Sequence, residues 1–151
     1  MNQLASVLKN NNITISVAES CTGGLLASYL TDISGSSEYF IGGIVAYNRF
    51  VKTKLLNVPV NIEVVSPQTV VAMNAGLKNL IDADIQVSIT GYIGKNYDNP
   101  ELSNIVYFGI FYNDIDTIIK INLSKKYNTR LDAKLIIVSQ VITNIYKIVT
   151  H

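Results

Sequence analysis

The side chains best suited to attack or polarise a carbonyl group stand together over residues 16–24, S-V-A-E-S-C-T-G-G. Ser20 and Thr22 offer hydroxyls, Cys21 a thiol and Glu19 a carboxylate, while Gly23 and Gly24 let a ligand come close to the backbone. An apolar run over residues 13–18 precedes them, and L-L-A-S-Y-L over 25–30 follows with helical spacing. The segment therefore reads as a buried strand, a tight turn and the first turn of a helix. Such a junction gathers side-chain oxygens and unpaired N–H groups at one spot, where the helix dipole favours an anion. A serine there also serves as a plain helix cap, and Cys21 as a small packing residue.

The rest of the composition bounds what this junction can belong to. A chain of 151 residues fits one domain with a substantial core, and 48% apolar against 15% charged residues excludes disorder. A net charge of +1 with both signs interspersed gives no argument for a nucleic-acid partner, and nine tyrosines show no stacking periodicity. One cysteine excludes a disulfide framework and fits a reducing compartment. The single histidine is His151, and no cysteine cluster exists, so a dedicated metal site is not expected. There is no basic segment leading into a long apolar core, and no unbroken apolar run near the roughly 20 residues that span a bilayer. The expectation is a cytoplasmic domain with no membrane partner.

Taken in order, Leu4, Val7 and Leu8 predict a short helix over 2–10, and 13–18 the first strand. After the helix that ends near Thr31 and a loop over 32–37, residues 39–47 predict a strand with a bulge or a close backbone approach at Gly42-Gly43. A helix over 48–56 follows. Ser66-Pro67 marks another helix start, running to about Leu80. Residues 85–90 predict a buried strand, and 104–112 with 117–123 a hairpin turning at Asn113-Asp114. The last helix carries Leu131, Leu135, Val138, Ile142, Ile145 and Val149 as its apolar stripe. Helices interleaved with strands give a layered α/β/α single domain with a mixed β-sheet.

These motifs together resemble the CinA C-terminal domain family. The resemblance rests on A-E-S-C-T-G-G over 18–24, L-T-D-I-S-G-S-S over 30–37, and G-G-I-V-A-Y-N over 42–48. It continues through Lys52, Val65-Ser66, S-I-T-G over 88–91 and Arg130, and so covers almost the whole chain in its stand-alone form. It implies hydrolysis of the carboxamide of nicotinamide mononucleotide to nicotinate mononucleotide and ammonia, in pyridine nucleotide salvage, without metal or cofactor. Carried over position by position, the implied catalytic set is Ser20, Tyr47 and Lys52. The substrate-binding set is Glu19, Cys21, Thr22, Gly23, Gly24, Gly43, Thr90, Gly91 and Arg130. The chemistry is coherent: an amide needs an activated nucleophile, and without a histidine a lysine of lowered pKa is the natural base, directly or relayed through the tyrosine hydroxyl. Amides around 21–24 suit either an oxyanion or a phosphate, and Arg130 a phosphate. The resemblance and the apolar content both imply a homo-oligomer, most simply a dimer.

The sequence departs from the family after Thr90-Gly91. Ile93 and Lys95 replace a small residue and a proline, the later glycines of the loop over 91–101 are gone, and Lys134 replaces a second arginine. Two expectations follow: Lys95 takes over a phosphate contact, or Ile93 blocks the pocket. The latter would leave a degenerate member that binds a nucleotide or a protein partner without turnover.

Overall fold

The computed structural model describes residues 1–123 and 127–151. Five strands, β1 (Ile15–Glu19), β2 (Phe40–Val45), β3 (Ile85–Gly91), β4 (Ile105–Tyr112) and β5 (Ile115–Asn122), form one sheet in the order β2-β1-β3-β4-β5. β1 pairs in parallel with both β2 and β3, and β4 and β5 pair antiparallel beyond β3, so the sheet is mixed as the sequence predicts. β1 is central and buried along its whole length. Its pairing with β2 slips between Ile15 and Ser16, which face Phe40 and Gly42, so the extra residue is Ile41, one position before the expected glycines. The hairpin turns at Asn113 and Asp114, both in the left-handed region (φ 52° and 60°) that a two-residue turn of this kind requires.

Helices α1 (Asn2–Asn10), α2 (Leu25–Thr31) and α5 (Arg130–Thr150) cover one face, where Leu4, Leu8, Leu26 and Leu30 meet Ile15, Val17, Val87, Ile89 and Phe108. Helices α3 (Arg49–Leu56) and α4 (Pro67–Leu80) cover the other face through Leu56, Met73 and Leu77 against Ala18 and Ala46. The architecture is the layered α/β/α expected. Ser66 caps α4 by accepting from the Thr69 amide, with Pro67 as the first helical residue.

One expectation about α5 is corrected in part. Its core-facing residues are Ala133, Ile137, Val138, Val141 and Ile145, whereas Leu131 is exposed and Leu135, Ile142 and Val149 only half-buried. The helix is apolar over more than one face, so the expected stripe is only partly the core face: Val138 and Ile145 are buried, and Ile142 and Val149 pack against the core. At 21 residues it is also long and apolar enough, by length and composition, to cross a membrane, which a search for unbroken apolar runs passes over. One side of it packs into the core described above.

Candidate active site

Ser20 lies just past the end of β1, held by both neighbouring strands. Its amide donates to Ile89 O at 3.0 Å, and the Glu19 carbonyl accepts from the Ala46 amide at 2.7 Å. The turn that follows needs Gly23 and Gly24 for their φ of 65° and 98°. It closes by Gly23 N–H to Ser20 O at 3.0 Å and Leu25 N–H to Thr22 O at 3.3 Å. Glu19 orients this loop in a specific way. Its carboxylate, 1% exposed, accepts from the amides of Gly24, Leu26 and Ala27 at 3.2, 3.0 and 2.8 Å. This corrects the picture of a helix start left open for an anion, because the start of α2 is already occupied by the protein's own carboxylate.

Asn48 caps α3 through a bond from the Phe50 amide, and the helix drops Lys52 and Leu56 onto the sheet from one face. Lys52 is 1% exposed. Its Nζ lies 2.9 Å from Ser20 Oγ, 2.8 Å from Ala46 O and 3.3 Å from Tyr47 O. Burial, reinforced by the positive charge of Arg49, lowers its pKa from 10.5 to about 8. The Cys21 thiol, also buried, is pushed up to about 12, mainly by desolvation, so it is no thiolate at neutral pH.

Above the pair opens a cavity of about 250 Å³ lined by Ser20, Cys21, Tyr47, Lys52, Thr90, Gly91 and Arg130. Val64, Val65, Tyr92 and Ile93 complete its wall. Thr90 Oγ1 donates to Val64 O at 2.8 Å and so draws in the segment before α4, a long-range contact with no local signature in sequence. At the mouth, Arg130 donates from Nη1 to Ile93 O at 2.8 Å and from Nη2 to the Tyr47 hydroxyl at 3.2 Å. Tyr47 is 59% exposed, so its hydroxyl belongs to the rim and its backbone carbonyl to Lys52. Lys52 therefore reaches Ser20 directly and needs no tyrosine relay.

The remaining expected residues lie outside the lining. Thr22 is buried with its Oγ1 unpartnered among the described residues, and Gly23 sits beside Lys134, whose Nζ would stand 3.4 Å from a Cβ placed there. Gly43 packs tightly on β1: a Cβ on it would stand 2.6 Å from Val17 Cγ2. Lys95 is exposed and does not line the cavity. Ile93 is 9% exposed and packs with the core cluster of the α1/α2/α5 face while its carbonyl anchors Arg130. No group of His, Cys, Asp and Glu suited to a metal occurs among the described residues.

The sequence profile of the CinA C-terminal domain matches residues 1–147. The chain belongs to that family. Among its relatives, a CinA-like protein of Geotalea uraniireducens is 45% identical over 102 residues, which is 65% of this chain and 24% of the relative. A CinA-like protein of Thermotoga neapolitana is 39% identical over 128 residues, 82% of this chain and 31% of the relative. The chain thus spans about a quarter to just under a third of the curated CinA relatives it matches. The crystal structure of a competence or damage-inducible protein from Enterobacter asburiae superposes with a TM-score of 0.90 at 25% identity, over 98% of this chain and 94% of that one. The Agrobacterium tumefaciens competence/damage inducible protein CihA gives 0.87 at 24% identity, over 99% and 93%.

Proposed function

We propose that this CinA-type domain hydrolyses the carboxamide of nicotinamide mononucleotide, with Ser20 as nucleophile and Lys52 as general base, in pyridine nucleotide salvage. The observation that carries the reading is the buried 2.9 Å contact between Lys52 Nζ and Ser20 Oγ at the floor of the cavity. A neutral lysine amine has two N–H donors and one lone pair. The carbonyls of Ala46 and Tyr47 take the two donors, and the lone pair is left for the Ser20 hydroxyl. The site is thus fully satisfied with the base unprotonated.

As Ser20 Oγ bonds to the amide carbon, its proton passes to Lys52. Lys52 returns that proton to the leaving nitrogen, the C–N bond breaks, and ammonia departs, leaving an acyl-serine. Water then attacks the ester, gives its proton to Lys52, and collapse of the second tetrahedral species returns the proton to Ser20 and frees the carboxylate. With the amides of Gly23, Gly24 and Leu25 engaged in the turn or by Glu19, the oxyanion falls to those of Cys21 and Thr22. The phosphate falls to side chains, Arg130 at the mouth and Lys134 against Gly23, rather than to the start of α2. Tyr47, on the same rim, steers the substrate.

The reading is tested by ammonia release from nicotinamide mononucleotide with purified protein. Release without formation of nicotinate mononucleotide, or no release at all, rejects it. We further read the chain as a cytoplasmic homodimer. Exposed Ile41, Val45, Phe50 and Val60 are the apolar groups a second copy would cover, and a monomeric mass by light scattering would refute this.

A further inference from the structure

Arg49, the first residue of α3, lines no part of the cavity, yet both of its attachments concern it. Its Nη1 donates to Val60 O at 2.7 Å and to Ile62 O at 3.3 Å, fastening the segment that continues into the wall residues Val64 and Val65. It also stands three residues before Lys52 on the same helix, the spacing that brings side chains together on one face. We propose that Arg49 is a positioning residue for the Ser20–Lys52 pair. It ties down the cavity wall and holds a permanent positive charge one helical turn before the lysine, which enlarges the share of free amine facing Ser20.

This rests on the hydrolase reading above, and the other charged groups nearby leave the role to Arg49. From the loop after β1, the Cys21 thiol is held at about 12 and so is uncharged at neutral pH, where it cannot retain a proton on Lys52. The Glu19 carboxylate is turned away into the amides of α2. From α5, Arg130 is committed to Ile93 and Tyr47 at the mouth, and Lys134 lies against Gly23. Burial is the largest influence on Lys52, Cys21 acts against it to the extent that its thiol ionises, and the Arg49 charge adds to burial as the smallest of the three. A guanidinium suits the task because it stays protonated wherever the lysine titrates.

The test is direct titration of the Lys52 ε-group by NMR in the full chain, its resonance assigned by its loss in Lys52→Met. Arg49→Gln and Arg49→Met, two neutral replacements at an exposed position, should move the midpoint upward, leaving roughly three- to tenfold less free amine at pH 7. Arg49→Lys, which keeps the charge without the guanidinium fork, should hold the midpoint near that of wild type. Neutral variants that fold and titrate with wild type would overturn the proposal, as would an Arg49→Lys midpoint displaced as far as that of Arg49→Gln. Ammonia release from nicotinamide mononucleotide is measured across pH on the same samples, and the acid limb of the rate should move with the amine. Failure of wild type to release ammonia rejects the hydrolase reading alone, because the titration judges Arg49 without substrate.

Discussion

The floor and the mouth of the cavity each pair a cation with a hydroxyl, and the two pairs are built on opposite principles. At the floor, Lys52 and Ser20 are buried, 2.9 Å apart, and fixed by backbone carbonyls and strand amides. At the mouth, Arg130 and Tyr47 are exposed, 3.2 Å apart, and held by one carbonyl of a loop. Burial makes the protonation of the floor pair costly to change and therefore decisive. At the mouth, the permanent charge of the Arg130 guanidinium stands in water that screens it, suited to capture and not to proton transfer.

Removing the nucleophile tests the floor most severely. Ser20→Ala should fold normally and lose at least about a hundredfold in kcat, measured by ammonia release, since a methyl cannot attack. Near-wild-type turnover would erase the distinction between floor and mouth.

Lys52 is next. Lys52→Arg should be as damaging as Lys52→Met, because a guanidinium does not give up a proton usefully. In wild type the rate should rise with pH up to about 8 and level off above it, as the amine loses its proton. Stability follows the same group. The folded protein holds Lys52 near 8 and the unfolded chain near 10.5, so between these values the unfolded state binds more protons and stability rises with pH. Relative to Lys52→Met, wild type should gain about 3 kcal/mol across that window by chemical denaturation, the equivalent of the full displacement. A flat difference would mean that Lys52 is charged in the fold.

The mouth should respond in affinity. Arg130→Ala should raise KM roughly tenfold or more with a smaller change in kcat, the loss of one charge-assisted contact, and the wild-type KM should rise with salt. Tyr47→Phe should be the mildest, about threefold in KM, because only one long, exposed hydrogen bond, from Arg130 to the hydroxyl, is removed. A kcat effect from Tyr47→Phe as large as that of Ser20→Ala would restore the tyrosine relay.

The floor was largely legible in the sequence because its elements are local. An apolar run meeting S-C-T-G-G can hardly be anything but a strand entering a turn, and Ser66-Pro67 announces its own helix. Lys52 came from family resemblance, since its spacing from Ser20 carries no local signal. What stayed hidden depends on contacts distant in sequence or on a choice among apolar faces. Glu19 caps α2 from the strand before the turn, outside the usual cap position. Val64 is drawn to the cavity by Thr90, while Arg49 holds the segment just before it. Arg49 looks like any surface charge on a helix. In α5, leucines and isoleucines on several faces made Leu131 as plausible a core residue as Ala133, and only packing against the sheet separates them.

The placement of Ser20 directly after the central strand has a consequence for how the protein fails. β1 has paired neighbours on both sides and no exposed residue, so its amides should exchange with solvent only when the whole domain opens. Ser20 is thus attached to the last part of the molecule to come apart, while the loop under Arg130 can fray beforehand. On warming, substrate capture should weaken several degrees before the chemistry is lost, and the loss of chemistry should coincide with global unfolding.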